Sequence, residues 1–339
     1  MLEIITNIQK IPHLKNRFLT ATLNIDGYRT DSPIIAKKDD QYYIVSRHLD
    51  RGNTEELKKL NLLPYNAEPV YFKPYFAFVP IEPPAEKDFY AAFERIAKGD
   101  KVITVQQDMP MHLYEMFSER FEILKEGKTE IPVMYLYKLP RKLVLERFAE
   151  TREDAVKIAK ELMSHSKYKE EVDICLDTTK DERFEILDKM MGEKGIDCLL
   201  CTSALGIQEI TGFGIDHFVE NEAMAVYVAK SDEVYFYNCR LLQGFGREEV
   251  IYDVKKHIQE LFDNKTVGVE EMHFSVGWFD YFALNKTKCE KAQALTRNFR
   301  LVRGAYNLPY YIITSRLGTY AIESTIKWLR DKIGSGEKV

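Results

Sequence analysis

The side chains that could do chemistry in this chain are few and scattered. Cys198 and Cys201 have the Cys-x-x-Cys spacing of a redox pair or half of a zinc site. They bracket Leu199-Leu200 in an apolar run that reads as a strand, where residues three apart point to opposite faces. No second cysteine pair or histidine follows at zinc spacing, so both are expected to be buried structural thiols. The remaining cysteines, Cys175, Cys239 and Cys289, make an odd and dispersed set. That pattern fits reduced thiols and a cytoplasmic setting rather than a disulfide framework. Gly212-Phe213-Gly214 and Gly244-Phe245-Gly246 lack the Gly-x-Gly-x-x-Gly continuation of a dinucleotide site and read as turns. His217, between Asp216 and Phe218, is the histidine with most promise, against the plainer reading of a loop histidine bonded to backbone.

The bulk properties narrow the classes further. A length of 339 residues suggests two domains, and 45% apolar with 30% charged residues is ordinary for a soluble globular chain. A formal charge of −5 argues against a broad phosphate-binding surface, so no nucleic-acid partner is expected. No apolar run approaches the ~20 residues of a membrane span, and the first ten residues lack the grammar of a signal peptide.

The elements that must position any site show a weak internal repeat. Val102 to Gln107 reads as a buried strand entering a loop, followed by a helical stretch around Leu113 to Phe117. Thr266 to Glu271, followed by Gly277 to Phe282, repeats it, and Val105 and Val269 stand 164 residues apart. The same offset pairs Tyr114 with Trp278, Phe117 with Tyr281, and Thr151-Arg152 with Ser315-Arg316. Upstream, Tyr43 to Ser46 resembles Tyr235 to Asn238 at an offset of 192, so the first half carries 28 extra residues. Pro64 to Pro84, with six prolines, is the expected site of that insertion, since its composition is hostile to helix. Tyr71 to Phe76 within it either faces a partner or caps the first core.

The second half has clearer signals. Phe184, Leu187, Met190 and Met191 give a helix one apolar face, and Gly195 ends it. Strands are expected at Cys198 to Cys201, Glu222 to Ala229, Glu233 to Tyr237, Val250 to Asp253 and Val267 to Val269, with a helix over His257 to Phe262. The fold class is α/β: two tandem domains, each a mixed sheet covered by helices on both faces.

Arg183-x-x-x-Leu187, Lys194-Gly195-Ile196-Asp197, the apolar strand with Thr202-Ser203, Ile210-Thr211-Gly212-Phe213 and Val267-Gly268-Val269-Glu270 together resemble the N-terminal domain of the creatinase and Xaa-Pro aminopeptidase family. The resemblance covers residues ~178 to 339, and the repeat extends it to the first half. It implies domains at 1–177 with the Pro-rich insertion 64–84, at 178–315, and a linker with the first catalytic-domain helix at 316–339. It further implies a metallopeptidase parent of the M24 type that hydrolyses Xaa-Pro bonds at peptide N-termini with two divalent metals, manganese being the expected pair. The Asp, Asp, His, Glu and Glu ligands of that site belong to a catalytic domain outside this sequence. This chain alone is therefore expected to hold no cofactor, to be inactive, and to shape substrate access and oligomer assembly. Its expected partners are its own catalytic domain, further copies of itself and short peptides. By the same resemblance Phe213 and His217 border the substrate cleft. The alternative is a catalytically inactive binding or scaffold protein of creatinase-like fold.

Overall fold

A computed structural model describes residues 1–5, 34–59, 66–73, 85–127, 129, 133–164, 166–177, 180–213, 223–239, 242, 248–251, 253–302 and 304–335. The first half forms a sheet from β1 (Leu2–Ile5), β2 (Ile34–Lys38), β3 (Gln41–Arg47), β4 (Glu68–Phe72), β5 (Val102–Gln106) and β6 (Glu122–Glu126). Its strand order is β4-β3-β2-β1-β5-β6. Helices α1 (Arg51–Lys59), α2 (Phe89–Ala97) and α3 (Met111–Ser118) lie between the strands in sequence. Because strand residues alternate faces, Leu2, Ile4, Ile103 and Val105 all point to one side, where they meet Phe89 and Phe93 of α2 and Leu113 and Phe117 of α3. Ser46 points to the other side, and its hydroxyl lies 3.4 Å from that of Thr54 on α1. Asp88 starts α2 by accepting from the Ala91 amide at 2.8 Å, and Lys98 ends it with a left-handed φ of 51°.

The second sheet begins with β7 (Met134–Pro140), which runs directly into the long helix α4 (Arg141–Met163) and then α5 (Lys169–Leu176). After these come α6 (Arg183–Lys194), β8 (Cys198–Cys201), α7 (Ala204–Thr211), β9 (Ala223–Val228) and β10 (Glu233–Asn238). The unit finishes with β11 (Glu248–Ile251), α8 (Val254–Phe262), β12 (Thr266–Val269), α9 (Val276–Tyr281), β13 (Lys288–Lys291), α10 (Gln293–Val302) and α11 (Gly304–Gly334). The order is β11-β7-β10-β9-β8-β12-β13. One face packs Leu199 and Cys201 against α6, α7 and α10; the other packs Cys198 and Leu200 against α8 and α9. The two cysteines thus point into opposite cores, as strand alternation requires.

The two sheets have one topology. Replacing β1, β2, β3, β4, β5 and β6 by β8, β9, β10, β11, β12 and β13 reproduces the strand order and every relative direction, with β7 inserted between β10 and β11. The offset between equivalent elements is 192 at β3 and β10 (233 − 41), 180 at β4 and β11 (248 − 68), 165 at α2 and α8 (254 − 89), and 164 at β5 and β12 (266 − 102). The extra residues of the first half therefore enter on both sides of β4 rather than as one block.

Three features of the structure stand beside the expected domain bounds. Part of the proline-rich stretch 64–84 is the edge strand β4, parallel to β3, with Pro69 opposite Ile44. An edge strand tolerates the proline because one side of its ladder has no partner to lose. Tyr71 and Phe72 are buried there, and Phe72 meets Phe89 edge-on at 5.6 Å; residues 74–84 lie outside the described residues. The division between sheets falls between Glu126 and Met134, upstream of the expected boundary at 177/178, because β7 pairs with β10 over six residues. Arg141 and Asp188 then hold the β7–α4 corner: Asp188 accepts from Arg141 at 2.9 Å and from the Tyr227 hydroxyl at 2.7 Å. Finally, α11 is one helix of 31 residues that crosses the expected boundary at 315/316.

The loops after the equivalent strands β5 and β12 pack against each other. The Met111 amide donates to the Phe274 carbonyl at 2.9 Å and His112 to Glu271 at 3.1 Å. In return Val276 donates to Met109 at 2.8 Å and Gly277 to Gln107 at 2.7 Å. Pro110 and Ser275 form an antiparallel bridge, the pairing that a pseudo-two-fold axis between repeats produces. Gly277 is required by this close approach: a Cβ there would lie 2.8 Å from the Gln107 carbonyl and against the Thr129 hydroxyl. Gly277→Ala is expected to cost about 1–3 kcal/mol, as overpacking does. Urea unfolding checks it, and an unchanged midpoint would show that the seam yields freely.

Candidate functional site

In an open α/β sheet, ligands bind outside the carboxyl ends of the strands where the chain order reverses. In the second unit that point lies between β8 and β12. From β8 the chain passes through α7 to β9 on one side, whereas the parallel neighbour β12 lies on the other. The residues that end these strands are Thr202-Ser203 after β8 and Glu270 after β12. Ser203 caps α7, its hydroxyl accepting from the Gly206 amide at 2.9 Å.

The crevice is filled from within. The Glu270 carboxylate is 0% exposed and accepts from the Thr202 amide, the Ser203 amide and the Ser203 hydroxyl, each at 2.9 Å. The amides at the start of α7 would otherwise favour an external anion. Gly206 lets the carboxylate approach, since a Cβ at that position would sit 2.5 Å from one carboxylate oxygen and 2.8 Å from the other. The backbone around Glu270 is equally engaged. Its carbonyl accepts from His273 at 2.8 Å and Phe274 at 2.9 Å, and the neighbouring Glu271 side chain accepts from the Gln293 amide that opens α10 at 3.1 Å. Glu270 therefore acts as an internal anion that ties the ends of two central strands to α7 and, through the adjoining loop, to the first unit.

A second polar knot lies under α4. Arg183 is 0% exposed, with its guanidinium 2.6 Å from Asp181, whose side chain is 8% exposed. It also donates to the Glu209 carbonyl at 3.2 Å and stacks over Phe148 of α4 at 3.0 Å. Arg147, one residue earlier on α4, stacks over Phe213 at 4.1 Å, and burial pushes its guanidinium below the ordinary value.

These contacts decide where the residues singled out in the sequence fall. Phe213 is 6% exposed, its ring stacked on Phe236 at 5.5 Å and covered by Arg147, so it packs the second core instead of lining an open surface. The turn before it is built for that burial. Gly212 closes α7 at a φ of 77°, and the Thr211 hydroxyl accepts from the Phe213 amide at 3.1 Å. His217 lies outside the described residues. Cys198 and Cys201 are buried; loss of solvent raises the Cys198 thiol to about 11 and Cys201 well above its usual value, which leaves neither as a ready thiolate. Among the described residues, no group of three or more His, Cys, Asp or Glu side chains could hold a metal ion. No described helix is long and apolar enough to cross a membrane.

The fold and this self-filled crevice define a duplicated α/β unit whose buried polar residues serve its own architecture. Residues 183–302, from the first residue of α6 to the last of α10, match the family model of the creatinase/prolidase N-terminal domain. That segment is similar to the creatinase/prolidase N-terminal domain, and the first unit shares the topology of the unit that contains it. The inserted strand β7 and helix α4 lie outside the match. No curated protein matches the chain.

Proposed function

We propose that this chain is the non-catalytic N-terminal region of a metallopeptidase of the Xaa-Pro aminopeptidase type, in which two α/β units wall the approach of short peptides and contribute to assembly. The observation that carries the reading is Glu270. The creatinase/prolidase-like unit spends its switch-point crevice on an internal carboxylate, which suits a wall better than a reaction centre. The reciprocal pairing of the loops after β5 and β12 supports it as well, because it joins the two units through their carboxyl-end loops. The reaction belongs, in this reading, to a pair of divalent metals held by a further domain, with manganese the first to test.

The test is hydrolysis of Xaa-Pro peptides with manganese by this chain and by the product of the longest reading frame that contains it. Cleavage by the longer product alone is the expected result. Cleavage by this chain would contradict the reading, and no cleavage by either would favour the inactive scaffold.

A further inference from the structure

A cavity of about 440 Å³ opens at the amino ends of β12 and β13, the opposite end of the strands from the Glu270 crevice. Its size falls within the range of about 300–1,000 Å³ usual for small-molecule sites. Two turns wall it. Asp263 to Lys265 joins α8 to β12, and Phe282 to Thr287 joins α9 to β13. Each turn passes through one left-handed residue, Asn264 and Ala283, both at a φ of 55°. Each also ends in the same triplet, Asn264-Lys265-Thr266 in one and Asn285-Lys286-Thr287 in the other. Because β12 and β13 are parallel, with Thr266 opposite Lys288, the triplets come side by side. They gather Lys265, Lys286 and Lys288 around one opening.

The charges around the opening do not cancel. Asp263 is the single carboxylate of the lining, and it accepts from Asn264 Nδ2 at 3.0 Å. Lys265 donates one proton to the Leu261 carbonyl at 2.7 Å, which answers the carbonyls that end α8. Lys291, at the other end of β13, is paired with Glu115; among the described residues Lys265, Lys286 and Lys288 make no such ion pair. Phe262 and Phe282 also line the cavity and are 2% and 1% exposed. Apolar walls beside charges of one sign strengthen their field. On a chain of formal charge −5 this is a local concentration of positive charge with nothing of its own to neutralise it.

We propose that this cavity binds a small multivalent anion, held by the ammonium groups of Lys265, Lys286 and Lys288. Lysine presents a compact point charge where arginine presents a planar fork. Three lysines therefore select for charge rather than for the shape of one acid group, and diphosphates and tricarboxylates share that chemistry. The site goes beyond the peptidase reading and does not depend on it, since it lies at the far end of the strands and its occupancy is read separately from hydrolysis.

Isothermal titration calorimetry of the whole chain with pyrophosphate and with citrate, at low salt and without divalent metal, tests the site. Each anion is expected to bind once per chain with a dissociation constant below about 1 mM. Lys286→Gln with Lys288→Gln is expected to weaken both by about tenfold or more. Both lysines are exposed, so these changes are expected to leave the fold intact. Lys87→Gln with Lys142→Gln removes two charges that are 79% and 87% exposed on other elements. That control is expected to change the affinity less than about twofold, because screening confines the effect to nearby charges. In amide-resolved NMR, pyrophosphate is expected to shift Lys286, Thr287 and Lys288 and to leave Thr202 and Ser203 in place. No saturable binding, or an equal loss in the two double variants, would overturn the proposal. So would binding of one anion without the other, which would mean that the cavity reads shape and not charge.

Discussion

Glu270→Ala is expected to destabilise the second unit by about 3–5 kcal/mol. The change removes the acceptor of two buried amides and one buried hydroxyl. Each donor left unsatisfied costs about 1–3 kcal/mol, and the three costs do not add fully because the site relaxes. Glu270→Gln is the informative companion. Its oxygen can still accept from the Thr202 and Ser203 amides, while its amino group can donate to Ser203 Oγ, which accepts from Gly206 with one lone pair to spare. The charge-assisted part of the interaction is lost, so a smaller penalty of about 1–2 kcal/mol is expected. Urea unfolding monitored in the second unit reads both. A loss below about 1 kcal/mol for Glu270→Ala, smaller than the cost of leaving one donor unpaired, would remove the carboxylate from its assigned place.

Arg183→Ala is expected to be of the same order, about 3–5 kcal/mol, for a different reason. The substitution strips a nearly buried Asp181 of its countercharge, and an uncompensated buried charge is costly. It also deprives the Glu209 carbonyl of a donor and removes the cation stacked on Phe148, which links α6 to α4. Replacing the pair together, Arg183→Met with Asp181→Asn, is expected to recover a large part of the loss because no lone charge remains. The pair is shielded from solvent, so its contribution is expected to change little with salt, unlike that of the exposed Lys160–Asp177 pair. Denaturant unfolding at two ionic strengths checks both statements. A double variant as unstable as Arg183→Ala would show that stacking and packing, not charge, carry the site.

The repeat was legible because the strand–loop–helix blocks around Val105 and Val269 carry side chains of similar kind at one constant spacing. That spacing survives because no residue enters between β5 and the start of α3 or its counterpart. β4 was hidden by Pro69, which sequence reasoning penalises without knowing that the strand is at an edge. The placement of β7 could not be read at all. Its residues show an ordinary strand pattern, and nothing local says that it pairs with β10, some hundred residues later in the chain. β13 escaped because Lys288 to Lys291 is an exposed polar edge, with almost no apolar alternation to detect.

At the candidate site the motif residues were visible, but their partners were not. Thr202-Ser203 and Glu270 stood out as family-like pieces far apart in sequence. Their joining in one buried carboxylate site depends on β8 and β12 lying side by side. Phe213 is assigned to a cleft border by the family resemblance alone, with no signal in its own neighbourhood. Its burial comes from Phe236 and from Arg147 on α4, a helix outside the family-like segment. The opposite facing of Cys198 and Cys201, by contrast, follows from strand geometry alone.

Glu270 fills the crevice between β8 and β12. Amide-resolved NMR of the chain, titrated with an Xaa-Pro dipeptide and with inorganic phosphate, tests that most directly. The predicted result is that the Thr202 and Ser203 amides exchange slowly with solvent and do not shift with either ligand. A saturable shift of those two resonances, with faster exchange in the free protein, would show that the crevice opens to ligands and would contradict the account.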